Sequence, residues 1–396
     1  MMSDDHLRKE KCMKRNLLKA IGATFMAAAM ALSMVPAVPA QAADANITEV
    51  VVNTTTKPAG QNLDSITITV KDKKAAKLLT AEDFTISGTA AGWLTSATHP
   101  WTADITNVSL HGNCEVTLEV SNFIEKYVYV RSFEVSCSNE KFSFTMDDVD
   151  QVITPIADEF TDIASGTQEF KLYSPKQTNK KPLPLVVAFH GLGDEATLYQ
   201  NQVATAWADP ANQKTRKAYV LAPMVPGYNY MSAAVRENLY VETMAVIENL
   251  IAEGKVDPNR VYVTGKSFGG LATVEFCEKY TDQIAGAIAM CAYIRGVANN
   301  AFTNAYVMKD LPIWLAQATN DSTSPIINSR TVYANLIEAG STVAKFTEYS
   351  NEEMDAAFAA HGTSVEIVGY HGVEIPVLTN TDYMTWLFAQ NLADRQ

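Results

Sequence analysis

Between residues 168 and 350 the chain carries apolar runs too continuous to belong to one-sided strands: "PLPLVVAFHG", "KAYVLAP", "NRVYVTG", "AGAIAMC" and "LPIWLAQA". A strand with one wet face alternates apolar and polar residues, because successive side chains point to opposite faces. Unbroken runs belong to strands covered on both sides, as in a parallel sheet between two layers of helices. Segments with helical spacing, 235–253 and 329–339 among them, lie between the runs. This alternation predicts an α/β domain built on a mostly parallel sheet.

The preceding hundred residues have a different texture. "TEVVVN", "SITITV", "CEVTLEV", "YVYVRSFEV" and "KFSFTM" are short, rich in β-branched and aromatic residues, and separated by turn signals such as "KPAG" and "LHGNC". That spacing predicts a small all-β sandwich with no visible catalytic constellation. The change of texture falls in "TMDDVDQVITPIADEF", so the expected domains are 43–147 and 148–396.

The first 42 residues are a separate object. Lys14, Arg15 and Lys19 precede an apolar run from Ala20 to Val38, followed by Ala40-Gln41-Ala42. A basic region, an apolar core and a small-residue site describe a secretory signal peptide. Residues 1–12 form a possible upstream extension, with Met13 an alternative start. The run is near the ~20 residues that span a bilayer, so an uncleaved anchor is the alternative; Pro36 and Pro39 favour cleavage. Without residues 1–42, 25 Lys and Arg face 41 Asp and Glu, a net charge of −16. Such a surface argues against a nucleic-acid partner. The expected location is extracytoplasmic, where disulfides can form. A Cys114–Cys137 bridge is conceivable, with free thiols at Cys114, Cys137, Cys277 and Cys291 equally compatible. The cysteines and histidines lack zinc-site spacing, so no metal is expected.

The chemistry points to "GKSFGG", residues 265–270. The strand-like "RVYVTG" precedes Ser267 and the helix-like "FGGLATVEFCEKY" follows it. Strand, G-x-S-x-G and helix together describe a nucleophile elbow, in which glycines let the chain turn sharply and present the serine. Such a serine needs a base, and the base an orienting carboxylate, in the chain order serine, acid, histidine. Asp321 follows the buried run "LPIWLAQATND"; Asp310 and Asp355 are weaker alternatives because neither directly follows such a run. His361 and His371 are the histidines beyond Asp321. His361 ends a helix-like stretch before a glycine, an ordinary helix-end role. His371 follows the strand-like "TSVEIVGY" in an expected loop and is the preferred base. Oxyanion donors are expected at the backbone N–H of Phe268 and in the loop after "PLVVAF", at Gly191 and Leu192. His190 is expected to brace that loop, and Tyr228 and Tyr230 to line the substrate cleft.

The run "VDPNRVYVTGKSFGG", the "PLPLVVAFHG" strand, "ITPIADEFTD", "ATAWADPANQ" and the terminal "TWLFAQ" resemble secreted α/β-hydrolase esterases. That group includes predicted peptidases and polyhydroxybutyrate-depolymerase-like esterases, some with an N-terminal immunoglobulin-like domain. The resemblance covers residues 146–396, and the β-rich part more loosely. It implies an α/β-hydrolase fold and a Ser-His-Asp carboxylic-ester hydrolase without cofactor. It also implies a small-molecule or polysaccharide-linked ester substrate. In the similar esterases the catalytic histidine precedes an "IPALNN"-like stretch and a "WLF" helix, a pattern that matches His371. The chain departs from the group at Lys266 and Phe268 inside the elbow, at Asp194-Glu195 after the oxyanion loop, and at Glu374, where a tryptophan is expected. A peptidase of the same architecture and a catalytically inert surface or glycan-binding protein are the alternatives.

Overall fold

The computed structural model describes residues 46–58, 60–91, 97–112, 114–121, 129–176, 181–193, 197–225, 228–293 and 304–395. The expected signal peptide lies outside them, as do Asp194 and Glu195.

The first part is all-β, as its texture predicts. Its strands are β1 (Ile47–Lys57), β2 (Gly60–Val70), β3 (Phe84–Ala91), β4 (Thr98–His111), β5 (Glu115–Ser121), β6 (Val130–Cys137), β7 (Phe144–Thr145) and β8 (Gln151–Ile153). They are ordered β7-β6-β3-β4-β5-β2-β1-β8. Neighbours run antiparallel except β8, which lies parallel to β1. The long β4 pairs with β3 through residues 98–103 and with β5 through 104–111. It thereby links two halves that share one core containing Val52, Ile66, Trp101, Leu118, Phe133 and Val135.

The structure moves the expected boundary and decides the cysteine state that the sequence leaves open. β8 keeps residues 151–153 in the first sheet, beyond the expected boundary at 147. The Thr54 and Thr154 hydroxyls hydrogen-bond at 2.7 Å, and Gln61 donates to both, which anchors the chain past that point. Cys114 and Cys137 are free thiols, as are Cys277 and Cys291. The carbonyl of Cys114 accepts from Val70 on β2, whereas Cys137 pairs with Phe84 on β3. With β3 and β4 standing between β6 and β5, the two sulfurs belong to different parts of the sheet.

The second sheet comprises β9 (Phe160–Ser165), β10 (Gln168–Tyr173), β11 (Leu183–Phe189), β12 (Tyr219–Met224), β13 (Val256–Lys266), β14 (Gly286–Met290), β15 (Ile313–Ala318) and β16 (Lys345–Tyr349). Its order is β16-β15-β14-β13-β11-β12-β10-β9. The six strands from β16 to β12 are parallel, and β10 and β9 complete the sheet antiparallel. Its principal helices are α1 (Ala233–Ala252), α2 (Phe268–Lys279), α3 (Ile327–Glu338), α4 (Asn351–Ala360), α5 (Glu374–Thr379) and α6 (Thr381–Phe388).

Strand β11 shows why the apolar runs are unbroken. Leu185, Val187 and Phe189 join a core with Leu239 and Met244 of α1, Leu271 of α2 and Leu336 of α3. The alternate residues Val186 and Ala188 join the opposite core with Phe358 of α4, Ile375 of α5 and Leu387 of α6. Every residue from Leu185 to Phe189 is at most 1% exposed. Full burial contributes about 1.5–3 kcal/mol for a large apolar side chain, so a polar residue on either face of this strand would be costly.

The C-terminal region differs from its sequence reading. The strand-like "TSVEIVGY" forms a single helical turn, Val365–Val368, and "EIPVLT" forms α5. The run does not extend the sheet past its edge strand β16; Val365 and Val368, three apart on the turn, pack instead against the core that holds Phe358, Ile375 and Leu387.

Candidate active site

Strand β13 ends at Lys266 and α2 begins at Phe268, leaving Ser267 alone to make the turn. Its backbone adopts φ 59° and ψ −119°. Such a conformation costs a non-glycine residue about 1–3 kcal/mol and persists only where the surroundings enforce it. The Ser267 N–H donates to the Met290 carbonyl at 2.9 Å, and its own carbonyl accepts from Leu271 at 3.0 Å and Tyr293 at 2.9 Å. Close packing explains the flanking glycines: a Cβ on Gly265 would lie 2.2 Å from the Gly269 oxygen, and one on Gly269 would lie 2.0 Å from the Phe189 oxygen.

The expected oxyanion loop lies beside this turn. A Cβ at Gly191 would sit 3.4 Å from the Ser267 Cβ, so the Gly191 backbone faces the serine, with Leu192 next in the chain. Phe268 begins α2, where the first N–H groups lack helical partners and favour negative charge. His190 braces the loop: its Nε2 accepts from the Val225 N–H at 2.9 Å, while Nδ1 donates to the Gly191 carbonyl at 2.6 Å.

Tyr230 takes a different role from the one expected. It is fully buried. Its ring meets His190 edge-on at 5.3 Å and stacks on Phe268 at 6.0 Å. Its carbonyl accepts from Arg236, whose guanidinium is held by Glu275 at 2.7 Å. Tyr230 therefore supports the elbow and the loop from beneath and does not wall an open cleft. The side chain of Tyr228 lies outside the described residues.

Asp321 and His371 meet across fifty positions, with His371 Nδ1 2.7 Å from Asp321 Oδ2. Oδ2 also accepts from Gln317 at 2.7 Å, and Oδ1 accepts from the Thr323 and Ser324 N–H groups at 2.8 and 2.9 Å. The carboxylate side chain is fully buried and the imidazole 14% exposed. Both oxygens are thus committed to donors. Asp310 lies exposed beside Lys309, and exposed Asp355 receives the Tyr370 hydroxyl at 3.3 Å. His361 caps the end of α4 in an exposed position, the helix-end role its sequence suggests.

Two further groups surround His371. Cys291 follows β14, and its sulfur, an Asp321 oxygen and a His371 ring nitrogen lie within 4.8 Å of one another. The thiol donates to the His371 carbonyl at 3.5 Å. The Lys266 ammonium, one residue before Ser267, forms an ion pair with Glu374. Burial disfavours the imidazolium, but Cys291 and Asp321 outweigh it and raise the pKa of His371, with Lys266 opposing them. Burial likewise disfavours the Lys266 cation, and Glu374 outweighs it.

Sequence reasoning missed Gln317, Ser324, Cys291 and the pairing of Lys266 with Glu374. Gln317 did leave a signal, a polar residue inside the apolar run "IWLAQA" four positions before Asp321. Cys291 left none, because a thiol ending an apolar strand is ordinary core composition.

An eight-stranded sheet of this order, with a strained serine after β13, has the α/β-hydrolase fold. The prolyl oligopeptidase family (Peptidase_S9) matches residues 227–303, which include Ser267. Over 116 residues the chain is 34% identical to poly(3-hydroxyalkanoate) depolymerase C of Paucimonas lemoignei, a match covering 26% of each chain. The chain thus spans about a quarter of that relative's length. Among solved structures, a thermostable esterase superposes with a TM-score of 0.66 at 23% identity, over 87% of this chain and all of that one.

Proposed function

We propose that the protein is a serine carboxylic-ester hydrolase working through an acyl-enzyme. In this reading Ser267 attacks the ester carbonyl. His371 takes the serine proton and then passes it to the departing alcohol, and Asp321 fixes the imidazole tautomer and stabilises the imidazolium. The N–H groups of Phe268 and of Gly191 or Leu192 receive the oxyanion. Water then attacks the acyl-enzyme, with His371 again as base. The 2.7 Å contact between His371 Nδ1 and Asp321 Oδ2, beyond the C-terminal ends of the parallel strands as the strained Ser267 is, carries the reading.

Ester substrates are favoured because the depolymerase that the chain resembles in part is named for poly(3-hydroxyalkanoate), a chain of esters. The prolyl oligopeptidase match over 227–303 favours a second reading, a peptidase of the same architecture. Short acyl esters and acyl groups on polysaccharides are the proposed substrates, and the N-terminal signal motif favours an extracytoplasmic site of action. The β-rich part is proposed to be an immunoglobulin-like module. Hydrolysis of p-nitrophenyl acetate by residues 43–396, compared with Ser267→Ala, tests the function. Equal rates for the two proteins would refute it, and faster cleavage of dipeptide amides than of esters would establish the peptidase reading.

A further inference from the structure

Lys266 and Glu374 form an ion pair beside the candidate site. Lys266 directly precedes Ser267 at the end of β13, and Glu374 follows His371 by three residues as the first residue of α5. Their ion pair spans 108 positions and joins the strand carrying the serine to the segment carrying the histidine. Both groups are largely buried, with side chains 19% and 6% exposed. A buried ion pair generally stabilises no more than an apolar pair of similar volume, so stability gives it little reason to exist. The second Glu374 oxygen, Oε2, is buried without a hydrogen-bond partner among the described residues. The carboxylate is therefore matched to the lysine alone and not to a wider polar network.

We propose that Lys266 and Glu374 are a positioning pair for His371: they tie the base's segment to the nucleophile's strand and balance the charge around the imidazole. The groups acting on His371 are Asp321 after β15, Cys291 after β14 and Lys266 at the end of β13, while Glu374 on α5 acts on it through its pairing with Lys266. Tyr370, its chain neighbour, is directed to Asp355 of α4. Of the charges contributed by the pair, the ammonium disfavours the imidazolium and the carboxylate cancels it. The consequence for rate rests on the hydrolase function proposed above, whereas the tie and its field are properties of the folded protein alone.

The test is histidine NMR titration of ¹³C-His-labelled wild type, Lys266→Met, Glu374→Gln and the double variant, with the His371 signal identified through His371→Ala. Lys266→Met should raise the His371 pKa by about one unit and Glu374→Gln lower it by about one unit. The neutral double variant should titrate near wild type. The acid limb of kcat/KM for p-nitrophenyl acetate should move with these values, and loss of the tie should lower kcat in the double variant about tenfold with KM held. A purely structural pair would lower Tm in the single variants and leave the titration where it is. Unmoved titrations, or shifts in the same direction, would overturn the proposal. If the single variants do not fold, a double variant with wild-type kcat overturns it. If no ester is hydrolysed, the titrations still decide, so failure of the functional reading is distinguishable from failure of this one.

Discussion

Asp321 and His371 are joined by a 2.7 Å hydrogen bond in which the carboxylate has no lone pair to spare, because Gln317, Thr323 and Ser324 supply its other donors. An acid held this way cannot rotate, so the imidazole it faces keeps Nδ1–H toward Asp321 and leaves Nε2 as the base. Asp321→Asn retains the shape but turns an N–H₂ donor toward Gln317 and His371. The expected result is a folded protein with kcat about 10⁴-fold lower, as expected for a base held in the wrong tautomer. Esterase kinetics together with circular dichroism check both halves.

The two downstream histidines separate cleanly. His371→Ala should be folded with hydrolysis reduced by several powers of ten, because nucleophile, base and acid act as a unit. His361→Ala should keep wild-type kcat and lose at most ~2 kcal/mol of stability, since His361 only caps α4. Activity lost with His361 and kept without His371 would reverse the assignment.

The pH dependence follows from the raised pKa of His371. Burial opposes the shift, but Cys291 and Asp321 take the value from 6.5 up to about 10. The base must be neutral to accept the serine proton, so kcat/KM should climb between pH 6.5 and about 10 rather than level off near neutrality. Because the folded value is raised, the protonated imidazole stabilises the fold fully below the unfolded pKa, and that stability is lost as pH rises through the folded one. The Tm difference between wild type and His371→Ala should therefore shrink across the same window.

Gly269 is required for a steric reason. An alanine there would place its Cβ 2.0 Å from the Phe189 carbonyl oxygen, which belongs to the strand beside β13. Gly269→Ala should cost about 1–3 kcal/mol or more by overpacking and also displace the Ser267 turn. Denaturant melts combined with fluorophosphonate labelling would show a less stable and weakly reactive serine.

Tyr230 offers a test with the opposite sign. Its hydroxyl is buried without a hydrogen-bond partner among the described residues. Tyr230→Phe should leave stability unchanged or raise it by about 1 kcal/mol, because it removes an uncompensated desolvation. Tyr230→Ala should cost about 3–5 kcal/mol through the cavity beneath His190 and Phe268. Thermal melts of the two variants distinguish the roles of ring and hydroxyl.

The sequence alone determined the parts whose causes are local. Unbroken apolar runs identified the strands of the second sheet, because burial on both faces abolishes alternation. The glycines around Ser267 marked the elbow, because only they admit its close backbone approach. The order of chemistry-bearing residues then singled out Asp321 as the proposed acid, and the helix end at His361 left His371 as the proposed base. Tertiary structure decided what depends on partners distant in the chain. "TSVEIVGY" became a helical turn because Val365 and Val368 pack together against the core instead of extending the sheet, and Cys114 and Cys137 stayed apart because β3 and β4 stand between their strands. Tyr230 proved to be a buried support, since the packing of His190 and Phe268 and not the composition of its loop sets its exposure. Lys266 and Glu374 looked like unrelated departures until the fold brought them together across 108 positions. Local patterns record the constraint each residue meets along its own strand or helix, whereas a charge buried beside the base is compensated only by what the fold carries to it.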